Sequence, residues 1–172
     1  AKGGAAVAPV AAAFPGAVID GVVDRKALSK TLNRDLANWR KLEAIVHPLA
    51  AKVERKFLET HDARGAPLVV LDIPLLYESG AEARVDAVAV VSAPAEIQRA
   101  RVAVRPGMSE EKFQAILARQ MPNVEKRARA DFVVETDRGL DYASQEVRKI
   151  LAALGGHSGG AWAQRKLGQA HA

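Results

Sequence analysis

Two stretches of the chain bring together residue types able to handle phosphates, metal ions and hydroxyls. The first is Asp72-Ile73-Pro74-Leu75-Leu76-Tyr77-Glu78, where a carboxylate follows the apolar run Ala66-Pro67-Leu68-Val69-Val70-Leu71 and a proline shapes the loop after it. A short apolar run without polar alternation, bounded by Gly65 and Pro74, has the pattern of a strand buried on both faces of a parallel sheet. Ligands of open α/β sheets bind beyond the carboxyl ends of the strands, so Asp72 would stand where a carboxylate reaches a Mg²⁺ ion or a substrate hydroxyl. The same place suits an aspartate that caps the next turn, and both readings stay open. Glu78 reads either as solvated or as a substrate contact.

The second stretch is basic. Arg101 and Arg105 are four residues apart and would share one helical face, after which Pro106-Gly107 turns the chain into a helix capped by Ser109. Arg119, Lys126, Arg127 and Arg129 lie on the return side. A helix-turn-helix flap lined with guanidinium groups is what phosphoryl transfer asks of a lid, because the cations neutralise charge spreading over the transferred oxygens. The competing reading is a solvated amphipathic hairpin with surface ion pairs to Glu110, Glu111 and Glu125. His47, beside Pro48, reads as a ring bonded to a carbonyl freed by a kink, or as a ligand contact. Gly155 and Gly160 have the glycine spacing of a phosphate-binding loop. Ala161-Trp162 replaces the required Lys-Ser/Thr, however, and the segment follows a helix instead of a strand. Nothing else in the chain matches that motif.

The elements that must carry these residues alternate between two periodicities. A helix is predicted from Asp24, as cap, to about Leu32, and a longer one from Asp35. Along the longer helix Leu36, Trp39, Leu42, Val46, Leu49, Val53 and Phe57 form a stripe facing a core, with Trp39 as a core residue. Pro48 is expected to kink or break it. Besides Ala66–Pro74, strands are predicted at Val85 to Val91 and Asp131 to Glu135. Helices are predicted at Ala95 to Val104, Ser109 to Gln120, Val124 to Ala130 and Leu140 to Leu154, the last with Leu140, Ala143, Val147, Ile150 and Leu154 inward and Gly155-Gly156 as its stop. Strands alternating with helices define an α/β fold with a parallel sheet. From Gly155 onward the composition is that of a flexible tail.

At 172 residues with 49% hydrophobic content the chain can form one domain with a core. It holds no apolar run of the roughly 18 residues that a membrane span needs and no signal-peptide pattern, so a cytoplasmic, non-membrane protein is expected. The absence of cysteine excludes disulfides, thiolate metal sites and thiol nucleophiles, and no protein metal-ligand set is assigned. The net charge of +5 points to a polyanionic partner. With 5% aromatics there are few stacking platforms, so nucleic acid is not expected.

Taken in order, the motifs resemble the dephospho-coenzyme A kinase family: Leu42-Glu43-Ala44-Ile45-Val46-His47-Pro48-Leu49, Asp72 to Glu78, Arg101 and Arg105, Gln120, and Glu125-Lys126-Arg127-Ala128-Arg129-Ala130-Asp131-Phe132-Val133-Val134. The resemblance runs from about Gly4 to Leu151. It implies a P-loop NTPase-like α/β fold and transfer of the γ-phosphoryl of ATP, with Mg²⁺, to the ribose 3′-hydroxyl of dephospho-coenzyme A. It implies a helical substrate region over residues 1–64, a nucleotide-kinase core over 65–98 and 124–154, a lid over 99–123, and a tail over 155–172. By the same resemblance Asp72, Arg101 and Arg105 are the catalytic candidates, and Gln120 and Arg127 lie near the nucleotide. His47, Pro74, Leu75, Tyr77 and Glu78 lie near the acceptor. Oligomeric state is not implied.

In that family a strand, a glycine-rich phosphate loop with its lysine, a helix and an Asp-Ala-Asp segment come before the point that Ala1 matches. The expectation is therefore a chain without its first strand and P-loop, with little kinase activity alone. Either it is an N-terminally incomplete copy of an ordinary enzyme, which the lack of an initiator methionine favours, or it is a non-catalytic remnant that binds coenzyme A-like ligands or a partner through an exposed sheet edge. Another small-molecule kinase of the same superfamily is the nearest competitor for substrate identity.

Overall fold

The computed structural model describes residues 2–32, 35–156 and 159–164, in two units, Ala1–Val70 and Leu71–Ala172.

The first unit begins with helix α1 (Val7–Ala13), which the sequence reading had not distinguished, and a hairpin of β1 (Val18–Ile19) and β2 (Val22–Val23). Ile19 pairs with Val22, so the loop is Asp20-Gly21, and both residues have positive φ, 51° and 74°. That is the turn whose twist matches paired strands, and glycine adopts it without steric cost. Asp24 then caps α2 (Arg25–Leu32), its Oδ1 accepting from the amides of Lys26 at 2.8 Å and Ala27 at 2.9 Å. Asp35 caps α3 (Leu36–Ala63) in the same way through Ala37. Val10, Phe14, Ala17, Leu28 and Leu32 form the buried cluster of this unit, with Leu42 and Ile45 of α3 packed against it.

Two expectations for α3 fail. The helix runs without a break through Pro48. Its apolar stripe is also only partly covered: Trp39, Val46, Val53 and Phe57 are all exposed, Val53 at 71%. The cause is length, since α1 and α2 are a turn or two long and α3, at 28 residues, extends about 42 Å. Trp39 is therefore not a core residue.

The second unit opens on a loop and one 3₁₀ turn (Ala81–Arg84). Strand β3 (Ala89–Ser92) leads through α4 (Ala95–Ala103), α5 (Glu110–Leu117) and α6 (Asn123–Arg129) to β4 (Phe132–Glu135). Strands β3 and β4 pair in parallel, from Ala89 opposite Phe132 to Ser92 opposite Glu135. Helix α6 packs on β3, while α7 (Leu140–Leu154) packs on β4. The result is an α/β fold with a small parallel sheet flanked by helices.

The run Ala66–Pro74 is not a strand. Apolar composition allows strand geometry but only a ladder creates it, and no described strand lies beside this run; Val70 is 76% exposed. Residues Val85 to Val88 likewise precede the paired part of β3. In α7, Leu140 and Val147 are exposed, so the inward stripe is shorter than predicted. The tail expectation at 157–158 and 165–172 lies outside the described residues. The part described is seated, because Asp86 Oδ1 accepts from the amides of Gly160 at 2.6 Å and Ala161 at 2.8 Å. No helix among the described residues is long and apolar enough to cross a membrane.

Candidate functional site

The polar side chains of the second unit converge where β3 and β4 end. Ser92, the last residue of β3, is only 3% exposed, and its Oγ accepts from Asn123 Nδ2 and Arg127 Nη1, both at 3.0 Å. Asn123 and Arg127 are four apart on α6 and so meet Ser92 from one helical face. Arg127 also pairs with Glu135, the last residue of β4. One residue on, Thr136 donates its backbone N–H at 2.9 Å and its hydroxyl at 3.0 Å to the Ser92 carbonyl, which ties the two strand ends together. From the last turn of α4, Arg101 donates Nη1 to Thr136 Oγ1 at 2.9 Å and Nη2 to the Thr136 carbonyl at 2.6 Å.

Two guanidinium groups are thus anchored at the carboxyl edge of a parallel sheet. Each uses only part of its donor fork on the protein, and the Arg127 side chain remains 39% exposed, so donors are left over for an anionic ligand. The sequence reading missed Ser92, Asn123, Glu135 and Thr136. The available signal was a polar residue ending each of two apolar strands, the register position that an α/β ligand site uses.

The other predicted residues are distributed more widely. Asp72 is exposed and makes no hydrogen bond or ion pair among the described residues, so it does not cap the following turn. Arg105 lies beyond the end of α4 and is exposed, so it does not share a helical face with Arg101. Gln120 is half-buried, and Pro74 and Leu75 are exposed. His47, in the first unit, is exposed and bonds to no freed carbonyl, because α3 continues through Pro48. The expected partners of the return-side cations are also different. Lys126 pairs with Glu78, Arg127 with Glu135 and Arg129 with Glu82, while Glu110 pairs with Arg99.

Glu78 is not solvated. Its side chain is 16% exposed, and Oε1 accepts from Lys126 Nζ at 2.7 Å and from the Met121 amide at 2.8 Å. Burial pushes its carboxyl up, but the Lys126 ammonium and the Met121 amide outweigh that and hold it below the usual glutamate value. Tyr77 is 8% exposed, with Arg129 stacked 4.4 Å from its ring centre, and burial pushes its phenol up. It lines a cavity of about 350 Å³ with Glu82, Val85, Asp86, Val88, Arg129 and Asp131, at the amino ends of β3 and β4. Neither Asp72 nor Arg101 and Arg105 line that cavity or the smaller one beside Arg99 and Phe113. Among the described residues no three His, Cys, Asp or Glu side chains gather as metal ligands.

A parallel sheet with guanidinium groups anchored at its carboxyl edge defines an α/β domain with cations where ligands of that fold class bind. A family model described as dephospho-CoA kinase matches residues 1–141. A Mesorhizobium japonicum protein named dephospho-CoA kinase is 52% identical over 156 residues, 91% of this chain and 79% of the relative. An Agrobacterium fabrum protein of the same name is 53% identical over 150 residues, 87% of this chain and 77% of the relative. The crystal structure of TT1252 from Thermus thermophilus superposes with a TM-score of 0.67 at 39% identity, covering 84% of this chain and 74% of that one. The chain belongs to the dephospho-CoA kinase family.

Proposed function

We propose that this chain carries out the family's reaction, phosphorylation of the 3′-hydroxyl of dephospho-coenzyme A by ATP. The observation that carries the assignment is the pair Arg101 and Arg127, held by Thr136, Ser92 and Glu135 at the carboxyl ends of β3 and β4. Family membership supplies the substrates, and the geometry supplies cations placed for phosphate oxygens. Residues 99–123 form the lid in this reading, 1–64 the substrate region, and 65–98 with 124–154 the nucleotide core. Arg105, exposed beyond α4, and Gln120 reach the nucleotide when the lid closes. Family resemblance assigns Pro74, Leu75 and the loop to Glu78 to the acceptor, and likewise His47 of the first unit.

Mg²⁺ fits the residues present only in its usual role with nucleotides, where one or two carboxylates suffice and phosphates and water complete the shell. Asp72, a free exposed carboxylate, is the residue that would meet it, and the ion would neutralise charge on the β and γ phosphates. The protein's own part is orientation and charge. Arg101 and Arg127 hold the donor oxygens, and their anchoring side chains keep those donors from reorganising as charge develops.

The test is product analysis by mass spectrometry with ATP, Mg²⁺ and dephospho-coenzyme A, together with calorimetric titration of each nucleotide. The expected product is coenzyme A. Arg101→Ala and Arg127→Ala should each lower turnover by about 100-fold. Phosphorylation at another position, or full activity in both variants, would refute the assignment. Tight dephospho-coenzyme A binding without any product would instead favour a second reading, a non-catalytic binder of coenzyme A-like ligands.

A further inference from the structure

We propose that Glu78 is a positioning residue: its buried carboxylate, held by Lys126, fixes the backbone at Met121 and so sets the return end of the arginine-bearing lid. The role deepens the kinase reading and rests on it. Met121 stands between α5 and α6, one residue after Gln120 and one before Pro122. Proline has no N–H, so the Met121 amide is the last backbone donor before α6 begins. Gln120 N–H bonds back to the Leu117 carbonyl, closing the turn after α5, while Met121 N–H points away to Glu78 Oε1, 43 residues earlier in the chain. The backbone of the lid's return is thus attached to the 72–78 loop at this point.

Stability alone does not explain the arrangement. Lys126 and Glu78 are 18% and 16% exposed, and Glu78 Oε2 is buried with no hydrogen-bond partner. An ion pair so dehydrated gives no more stability than packed apolar side chains of similar volume. What it does provide is direction, since the carboxylate must face the ammonium and the amide together. Helix α6 also sends Lys126 to Glu78, Arg127 to Glu135 and Arg129 to Glu82. Of these three attachments, the one through Glu78 also captures a backbone group of the lid. A shift of Met121 would carry Gln120 with it, and Asn123 and Arg127 sit on the helix that starts two residues on.

Hydrogen exchange over residues 119–126, with ATP titration, tests this in the Glu78→Gln, Lys126→Met and Lys126→Arg variants. In Glu78→Gln and Lys126→Met the Met121 amide should exchange about tenfold faster or more, while the amides of Val133 and Val134 in β4 stay as in the native protein. ATP affinity should weaken with the same variants, and Lys126→Arg should restore both properties. Unchanged exchange at Met121 overturns the proposal, as does a uniform rise across the whole unit, faster exchange with unaltered ATP affinity, or failure of Lys126→Arg to rescue. If the native chain binds no ATP, the kinase reading fails, and the exchange results alone then decide whether Glu78 holds the lid's return.

Discussion

At the scale of single residues, Glu78 shows how little a sequence says about burial. As a type it belongs to the surface, and nothing in Asp72 to Glu78 announces that a lysine 48 positions later in the numbering will cover it. Its folded-state carboxyl lies below the ordinary value of 4.5, so its contribution to stability is complete above that pH and is lost as pH falls through the depressed value. Urea titrations between neutral and acid pH should therefore show an acid-side fall in stability that is shallower in Glu78→Gln. The opposite sign, with Glu78→Gln steeper, would contradict the geometry. Ser92 makes a similar case. It ends an apolar strand, and it is buried and satisfies two donors. Ser92→Ala should cost about 1–3 kcal/mol by leaving Asn123 Nδ2 without its acceptor and Arg127 with Glu135 alone, measurable by chemical denaturation. Arg101 and Arg127 were legible as phosphate-handling types; their anchors were not, because a hydrogen bond across 35 residues leaves no mark in local spacing.

At the scale of elements, local signals served well wherever a single segment determines its own conformation. Asp24, Asp35 and Ser109 each cap the helix that follows, and Asp20-Gly21 makes the tight turn its residues favour. Two of the failures involve neighbours. Ala66–Pro74 has the composition of a buried strand but no described strand beside it, and the apolar stripe of α3 extends past the helices that cover its start. Pro48 is a third case: proline weakens a helix without always ending it, and α3 continues through it. Since Pro48 is exposed, Pro48→Ala should stabilise the chain by up to about 3 kcal/mol in thermal or urea unfolding. A loss of stability would mean that the proline itself is required by the helix's surroundings.

At the scale of the whole molecule, the alternation of strands and helices was enough to name the fold class, and family membership agrees with it. Order along the chain constrains topology strongly, because parallel strands need a crossover and here three helices supply it. The place of the site at the carboxyl edge follows from that topology more than from any one motif. The same topology has a kinetic side. The hairpin of the first unit joins near neighbours, such as Ile19 with Val22, whereas the bond from the Val88 amide to Asp131 Oδ2, beside the start of the β3–β4 ladder, spans 43 residues. Closing so long a loop costs chain entropy before any contact repays it. The hairpin and its helices should therefore form early in refolding, with the parallel pair as the slow event. A rapid-mixing experiment would read this as protection appearing at residues 18–32 before it appears at Val133 and Val134.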